Sequence, residues 1–348
     1  MRHFRSWPVW LALLPTVFVL LSLTGCPRLD LEREPSPPAG RYLFCFWNAE
    51  NLFDDHLDYR QNEADKPYDE WFAEDGEARA LKYRHLSEAL LKMNQGRGPD
   101  ILALAEVESR RAAELLQREL NSRLQDENLH YKEPIFEEVN SGRHIAPAVL
   151  LRKEFTASRS HLLNKKLRAL ETHLALHNHE LVLIISHWTS RVSDAEGIGR
   201  EKYAKLIYGR YRAIAHENPQ VDLLVAGDFN DPPDAPSVAG FLHAHGDRAS
   251  VKSNRSEPEL LNLMAGKSAA AFGTIYHKQL AIFDQIAISP GLLDENGWTC
   301  DSESVKTVND LTADLRGHPL PFGIRHHGEH GYSDHFPVTV RLRVDDAQ

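Results

Sequence analysis

The sequence has three cysteines in 348 residues, and no two of them form a Cys-x-x-Cys pair. That excludes a disulfide framework and a cysteine zinc site. There is no excess of basic charge: 40 Lys and Arg stand against 50 Asp and Glu, a formal net charge of −10. Composition therefore gives no support to a surface built to grip nucleic acid nonspecifically. Internal repeats are lacking, as are the biases of disordered, collagen-like or coiled-coil chains. What is present is 42% apolar residues, ample for a core in one large domain or two small ones.

An uncharged, mostly apolar run, Trp7 to Leu23, follows Arg2 and Arg5 and leads into Leu23-Thr24-Gly25-Cys26. A positive start, an apolar middle and a small-residue exit read as an export signal. The exit resembles the bacterial lipobox, so residues 1–25 are expected to be a lipoprotein signal peptide and Cys26 the lipidated residue. The alternative is an uncleaved anchor, since the run is near the ~20 residues needed to span a bilayer. Residues 26–40 carry four prolines and alternating charge with no periodic apolar face, and read as an extended tether. The expected location is exported, anchored through the lipid in a bacterial cell envelope. Losing residues 1–25 removes two Arg and no acid, taking the net charge from −10 to −12. Cys45 and Cys300 remain, and both a pairing and two buried thiols stay open.

Residues 41–344 read as one domain, and a monomer. The spacing predicts strands over Tyr42–Trp47, Ile101–Ala105, Ala148–Arg152, Ala169–Leu176, Leu181–Ser186, Leu223–Ala226, Ala281–Ser289 and Phe336–Arg343. Helices are predicted over Ala78–Met93, Arg110–Leu124, Arg200–His216 and Pro236–His245. The turn-like His177-Asn178-His179-Glu180 predicts a hairpin. Hairpins mixed with helical crossovers imply a layered α/β sandwich with mixed sheets. The ten acids between Asp54 and Glu77 read as a solvated loop, with an acidic rim over the site as the alternative.

Apolar strands keep ending in groups of catalytic type. Phe46-Trp47 runs into Asn48-Ala49-Glu50, Leu104-Ala105 into Glu106, Ile185-Ser186 into His187-Trp188, and Val225-Ala226 into Gly227-Asp228-Phe229-Asn230. Ser333-Asp334-His335 opens the last strand, and Asp284 interrupts Ile282-Phe283-Asp284-Gln285-Ile286. In an extended chain residues i and i+2 share a face, which would aim Asn48 with Glu50, and Asp228 with Asn230, at one ligand. A carboxylate within an apolar strand needs a partner, and His335 is the candidate for Asp284. Carboxylates and amides without Cys are hard oxygen donors suited to Mg²⁺ or Mn²⁺. His187 and His335 then suit acid–base or phosphate-contacting work.

Taken in order, Asn48-Ala-Glu-Asn-Leu-Phe53, Glu106, His187-Trp188, Gly227-Asp228-Phe229-Asn230, Asp284-Gln285-Ile286 and Ser333-Asp334-His335 resemble the motifs of the endonuclease/exonuclease/phosphatase superfamily. The resemblance runs from Phe46 to about Val340. It implies a four-layer α/β sandwich, two mixed sheets face to face with helices outside, and metal-dependent hydrolysis of a phosphate ester. By similarity Glu106 is the principal metal ligand, helped by Asn48, Glu50 and Asp334. Asp228 orients or deprotonates water, Asn230 holds phosphate, and His335, oriented by Asp284, stabilises the developing charge or acts as base. His187 binds phosphate or protonates the leaving oxygen. Many bacterial relatives carry Arg-Gly-Ile-Asp where this chain has Arg143-His144-Ile145-Ala146, so Ala146 has no role and Arg143 is a candidate phosphate contact.

The expected activity is a membrane-tethered, nuclease-type phosphodiesterase. A lipid- or inositol-directed enzyme, or a non-catalytic binding protein on the same fold, are the alternatives. The nuclease reading leans on the His-Trp motif and on a cationic stretch, Arg191, Arg200, Lys202, Lys205, Arg210 and Arg212, which would line a phosphate backbone or else form a solvated face. The loop holding His326, His327 and His330 reads as polar surface, with a substrate rim or an adventitious Zn²⁺ site as the sharper options.

Overall fold

Strands buried on both faces read as near-continuous apolar runs, because a sheet covers one side and helices the other. In chain order they are β1 (Arg41–Leu52), β2 (Ile101–Val107), β3 (Ile135–Phe136), β4 (Ala146–Leu151), β5 (Thr156–Leu162), β6 (Ala169–Leu176), β7 (His179–His187) and β8 (Leu223–Asp228). There follow β9 (Ala244–His245), β10 (Leu260–Asn262), β11 (Ile275–His277), β12 (Gln279–Ala281), β13 (Asp284–Ile288), β14 (Trp298–Thr307) and β15 (Val338–Val344). This computed structural model describes residues 40–253, 257–323 and 330–344. The expected leader, Cys26, the tether up to residue 39, and His326 and His327 lie outside the described residues.

Six strands form one sheet in the order β14-β15-β1-β2-β4-β3, and seven form another in the order β5-β6-β7-β8-β13-β10-β9. Both are mixed: β1 runs parallel to β2 and antiparallel to β15, while β7 runs parallel to β8 and β8 antiparallel to β13. Phe44, Phe46 and Val340 of the first sheet share a core with Leu183, Ile185, Leu224 and Ile286 of the second. The opposite face of the first sheet packs on α2 (Gly76–Lys92) and α3 (Arg110–Arg123) through Leu86, Leu90 and Leu116. The opposite face of the second packs on α4 (Ile198–Glu217) through Tyr203, Ile207 and Tyr211. This is the four-layer α/β sandwich that the resemblance implied. The β6–β7 hairpin turns at His177 and Asn178, both in left-handed backbone (φ 50 and 68).

Other expectations need correction. The acidic stretch 54–77 is no loop throughout, since α1 (Lys66–Glu74), with Pro67 in its first turn, lays Tyr68, Trp71 and Phe72 against Phe53 and Phe322. Asp54, Asp65 and Asp69 within it are buried. The strand expected over 281–289 is broken: the Thr274 hydroxyl accepts the N–H groups of Phe283 and Asp284, each at 3.1 Å, so Asp284 begins β13 instead of interrupting it. The helix expected over 236–245 stops as a single wide turn at Phe241. Pro337 delays β15 to Val338, having no N–H to donate. Cys45 packs in the helix-side core of the first sheet and Cys300 in the core between sheets, so both are free thiols on opposite faces.

Candidate active site

Register carries the catalytic candidates to one rim. On the second sheet His187 pairs with Asp228, and Asp228 with Asp284, so three functional side chains stand side by side across β7, β8 and β13. Close approach of β7 and β8 explains Gly227: a Cβ there would lie 2.1 Å from the Ser186 carbonyl oxygen. On the first sheet Asn48 pairs with Ala105, which brings Glu106 alongside. His335 precedes β15, where the Trp47 indole donates to its carbonyl at 2.9 Å. The Ser333 hydroxyl donates to the Asn48 carbonyl at 2.6 Å.

His335 Nδ1 lies 2.7 Å from Asp284 Oδ2, and its Nε2 lies 3.8 Å from Asp228 Oδ2. Burial opposes charge on this imidazole, but Asp284, Asp228 and Asp334 together hold its pKa well above the ordinary value. His187 behaves oppositely. Burial and the neighbouring Arg168 hold its pKa well below the ordinary value, against the pull of Glu106. Arg168 Nη1 stands 3.1 Å from His187 Nδ1 and, having no acceptor of its own, can only donate there. His187 therefore keeps its proton on Nε2, which faces Asp228 Oδ2 at 3.6 Å and Glu106 Oε1 at 3.8 Å. Burial alone would raise Glu106, yet Arg143, His187, His335 and Arg168 outweigh it and hold the carboxyl at about 2. Burial pushes Asp228 up to about 7, with His335 pulling it down and Asp284 and Glu106 adding to the rise.

Glu50 departs from expectation. Left-handed backbone at Glu50 and Asn51 (φ 50 and 54) breaks the extended alternation that would have aimed Glu50 with Asn48. Its carboxylate instead accepts the N–H groups of Phe322 (2.7 Å), Gly323 (3.0 Å) and Asp334 (3.1 Å). Burial and Asp334 push it up to about 7, with the buried Lys82 opposing. Asn48 stays on the rim, its amide N–H donating to Asp228 at 3.2 Å and to Glu106 at 3.4 Å. Asn230 is left-handed (φ 53), and its amide donates to the Trp188 carbonyl at 3.2 Å. Asp334 is exposed. Arg143 donates to Asp65 at 2.6 Å, bonds Asn51, and lies 3.8 Å from Glu106. Two left-handed residues other than glycine, Glu106 and Asn230, thus lie on the rim, and two more, Glu50 and Asn51, sit where β1 turns beside it.

Sequence reasoning missed Arg168 and Lys82. Arg168 was findable: once the β6–β7 hairpin is paired, Ala169 opposite Ser186 puts Arg168 opposite His187. Lys82 sits mid-helix and donates to the Tyr332 carbonyl at 2.7 Å, a contact no local pattern announces.

A divalent cation fits the donor set. Glu106 is held ionised, Asp334 is open to solvent, and at Asp228 the charges of Asp284 and Glu106 add to the rise that burial causes. Among the described residues, Asp228, Asp284 and His335 also bring ligand atoms within 4.8 Å of one another. Asp284 is already committed to His335.

The cationic stretch is mostly neutralised. Arg191 and Arg200 both bond Asp231 at 2.8 Å, Lys205 pairs with Glu201, Arg210 with Glu171 at 2.5 Å, and Arg212 with Glu257 at 3.5 Å.

A family model described as Endonuclease/Exonuclease/phosphatase family matches residues 43–344. Among solved structures, D. rerio TDP2 complexed with single strand DNA product is 16% identical, with 87% of this chain and 99% of that chain covered and a TM-score of 0.53. A mannosyl-6-phosphatase of Bacteroides thetaiotaomicron is 14% identical over 86% of this chain and 99% of its own, at TM-score 0.51. The human Nocturnin catalytic domain with bound sulfate is 15% identical over 88% and 95%, at 0.50. At these identities the likeness is one of fold. No curated protein sequence matches the chain.

Proposed function

The chain belongs to the endonuclease/exonuclease/phosphatase family, a family of phosphoesterases, and from that premise we propose that it hydrolyses phosphate esters with the help of Mg²⁺ or Mn²⁺. The observation that carries this is the convergence of Glu106, His187, Asp228, Asp284 and His335 on one rim. Glu106, Asn48 and Asp334 are the residues that would hold the cation; Glu50 braces the backbone around Asp334 instead. When bound, the cation supplies Lewis-acid withdrawal of charge from phosphate oxygens.

The chain's own groups do the rest. Asp228 orients the attacking water and accepts its proton. His335, kept positive by Asp284, stabilises charge building on the phosphoryl oxygens. His187 offers a fixed Nε2–H to the phosphate, and Arg143 adds a guanidinium at the rim. General acid–base groups of this kind contribute typically about 10²- to 10⁴-fold. Glu106→Gln and His335→Ala are each expected to lower hydrolysis of bis(p-nitrophenyl) phosphate at least about 10²-fold. Glu106→Gln should keep its melting temperature, His335→Ala is read per folded protein because it leaves the buried Asp284 unpaired, and EDTA should abolish wild-type turnover. Wild-type rates in either folded variant would refute the proposal.

Nuclease action and small- or lipid-phosphodiester hydrolysis are the two substrate classes. Pairing of the α4 and Arg191 cations with acids favours the second, because a polyanion would have to displace those carboxylates. The sequence pattern of Arg2, Arg5, the apolar run and Gly25-Cys26 supports tethering to a membrane through lipid on Cys26. Among the described residues no helix is long and apolar enough to cross a membrane.

A further inference from the structure

A cavity of about 970 Å³ opens directly beside the rim and shares Asn230 with it. One wall is the β11–β12 hairpin with its exit, where Ile275, Leu280 and Phe283 are half-buried. That wall is fixed to the chemistry at both ends: Ile275 bridges to His335, and Phe283 immediately precedes Asp284. The facing wall is Pro232, Pro233, Met264 and Ala265. Such a volume lies at the upper end of the range for sites that enclose a small organic ligand.

The lining discriminates among the groups a phosphate ester can carry. Among the described residues Phe283 is the one benzene ring lining the cavity, with the imidazoles of His245 and His277 as the other rings. Of the polar groups at the cavity, Arg191 is engaged with Asp231 and lies over the Phe283 ring at 5.9 Å, His245 pairs with Glu259 at 3.2 Å, and Asp234, His277 and Gln279 are exposed. A sugar or inositol would find few free partners for its hydroxyls on walls of aliphatic carbon. A flexible hydrocarbon chain needs none.

We propose that this cavity receives the alkyl portion of the substrate, so that the enzyme acts on phosphate esters carrying a hydrocarbon chain next to the phosphate. This rests on the phosphoesterase reading above and adds the substrate class. Burial of each methylene is worth up to about fourfold in affinity.

Non-hydrolysable n-alkylphosphonates separate the two ideas, since binding is read without turnover. Calorimetric titration of the full chain in Mg²⁺ is expected to show hexylphosphonate binding at least about tenfold more tightly than methylphosphonate. Leu280→Asp and Ala265→Gln, each checked for an unchanged melting temperature, should collapse that ratio toward one. Equal affinity for the two phosphonates, binding of neither, or tighter binding of thymidine 5′-monophosphate than of hexylphosphonate would each overturn the proposal. Failure to hydrolyse bis(p-nitrophenyl) phosphate would instead strike the phosphoesterase reading, whatever the phosphonates do.

Discussion

Two strands carry a carboxylate at each end, and the ends are built differently. On β2, Asp100 stands before the first residue and Glu106 near the last; on β8 the pair is Asp222 and Asp228. At the starting ends the partners come from distant backbone: Asp100 accepts the Leu43 N–H at 2.8 Å, and Asp222 the Trp298 N–H at 2.9 Å. At the finishing ends each carboxylate also accepts one backbone N–H, Glu106 from Asn51 of β1 and Asp228 from Asn230 two residues on, but there side chains crowd it as well. The remaining oxygens face Asn48, His187, His335 and Arg143. A carboxylate tied to backbone is a joint of the fold. One surrounded by mobile protons and cationic side chains can exchange partners with a substrate.

That contrast can be broken by substitution. Asp228→Asn is expected to cost about 10³-fold in kcat for bis(p-nitrophenyl) phosphate while the melting temperature holds or rises, since a crowded buried charge is removed. A variant keeping a tenth of wild-type turnover would erase the distinction. Asp100→Ala should do the reverse. It strands the Leu43 N–H and leaves Arg152, 3.8 Å away, without its carboxylate, for a loss of about 2–4 kcal/mol in urea unfolding and an unchanged kcat in the folded fraction.

Asp222 sharpens the comparison through pH. Burial pushes it up to about 7 from 3.8, against the Trp298 N–H and with help from Asp294. Folding thus takes up a proton in this window, so the residue's contribution is full below pH 3.8 and is lost as pH rises through about 7. Asp222→Asn should flatten that part of the stability curve and add on the order of 1 kcal/mol at pH 8, discounted for partial exposure. A curve that keeps its slope between pH 4 and 7 would assign the loss to another group. The smallest effect concerns salt. If the rim engages one phosphate, kcat/KM should fall less than about threefold between 50 and 200 mM NaCl, where a protein contacting six to ten phosphates would lose about 10³ or more in affinity.

Legibility in the sequence followed burial. β6 was readable to the residue because both its faces are covered, whereas β5, exposed along Thr-Ala-Ser-Arg-Ser-His-Leu, has no apolar face to reveal it. β14 was lost for a similar reason, its alternation diluted by Asp301, Glu303 and Lys306. Side chains at strand ends were legible as a set, since hydrophobic runs stopping at Glu106, His187 and Asp228 leave a visible mark. Their aim was not. Glu50 turns away through a left-handed backbone that no spacing rule anticipates, and Lys82 reaches Tyr332 across 250 residues of sequence. Apart from Glu201 on the helix itself, the acids that neutralise α4 are Glu171, Asp231 and Glu257, outside the helix that suggested a cationic face.

β1 lies between β2 and β15, with Arg41 opposite Arg343. Among the described residues the first strand in the sequence therefore has its second edge paired by the last, and His335 comes with that closing strand. A chain still emerging from the ribosome holds Glu106, His187 and Asp228 without the imidazole that Asp284 orients. A fragment that stops short of residue 335 keeps both carboxylates and His187 yet lacks the one side chain that joins the two sheets' halves of the rim through Asp284.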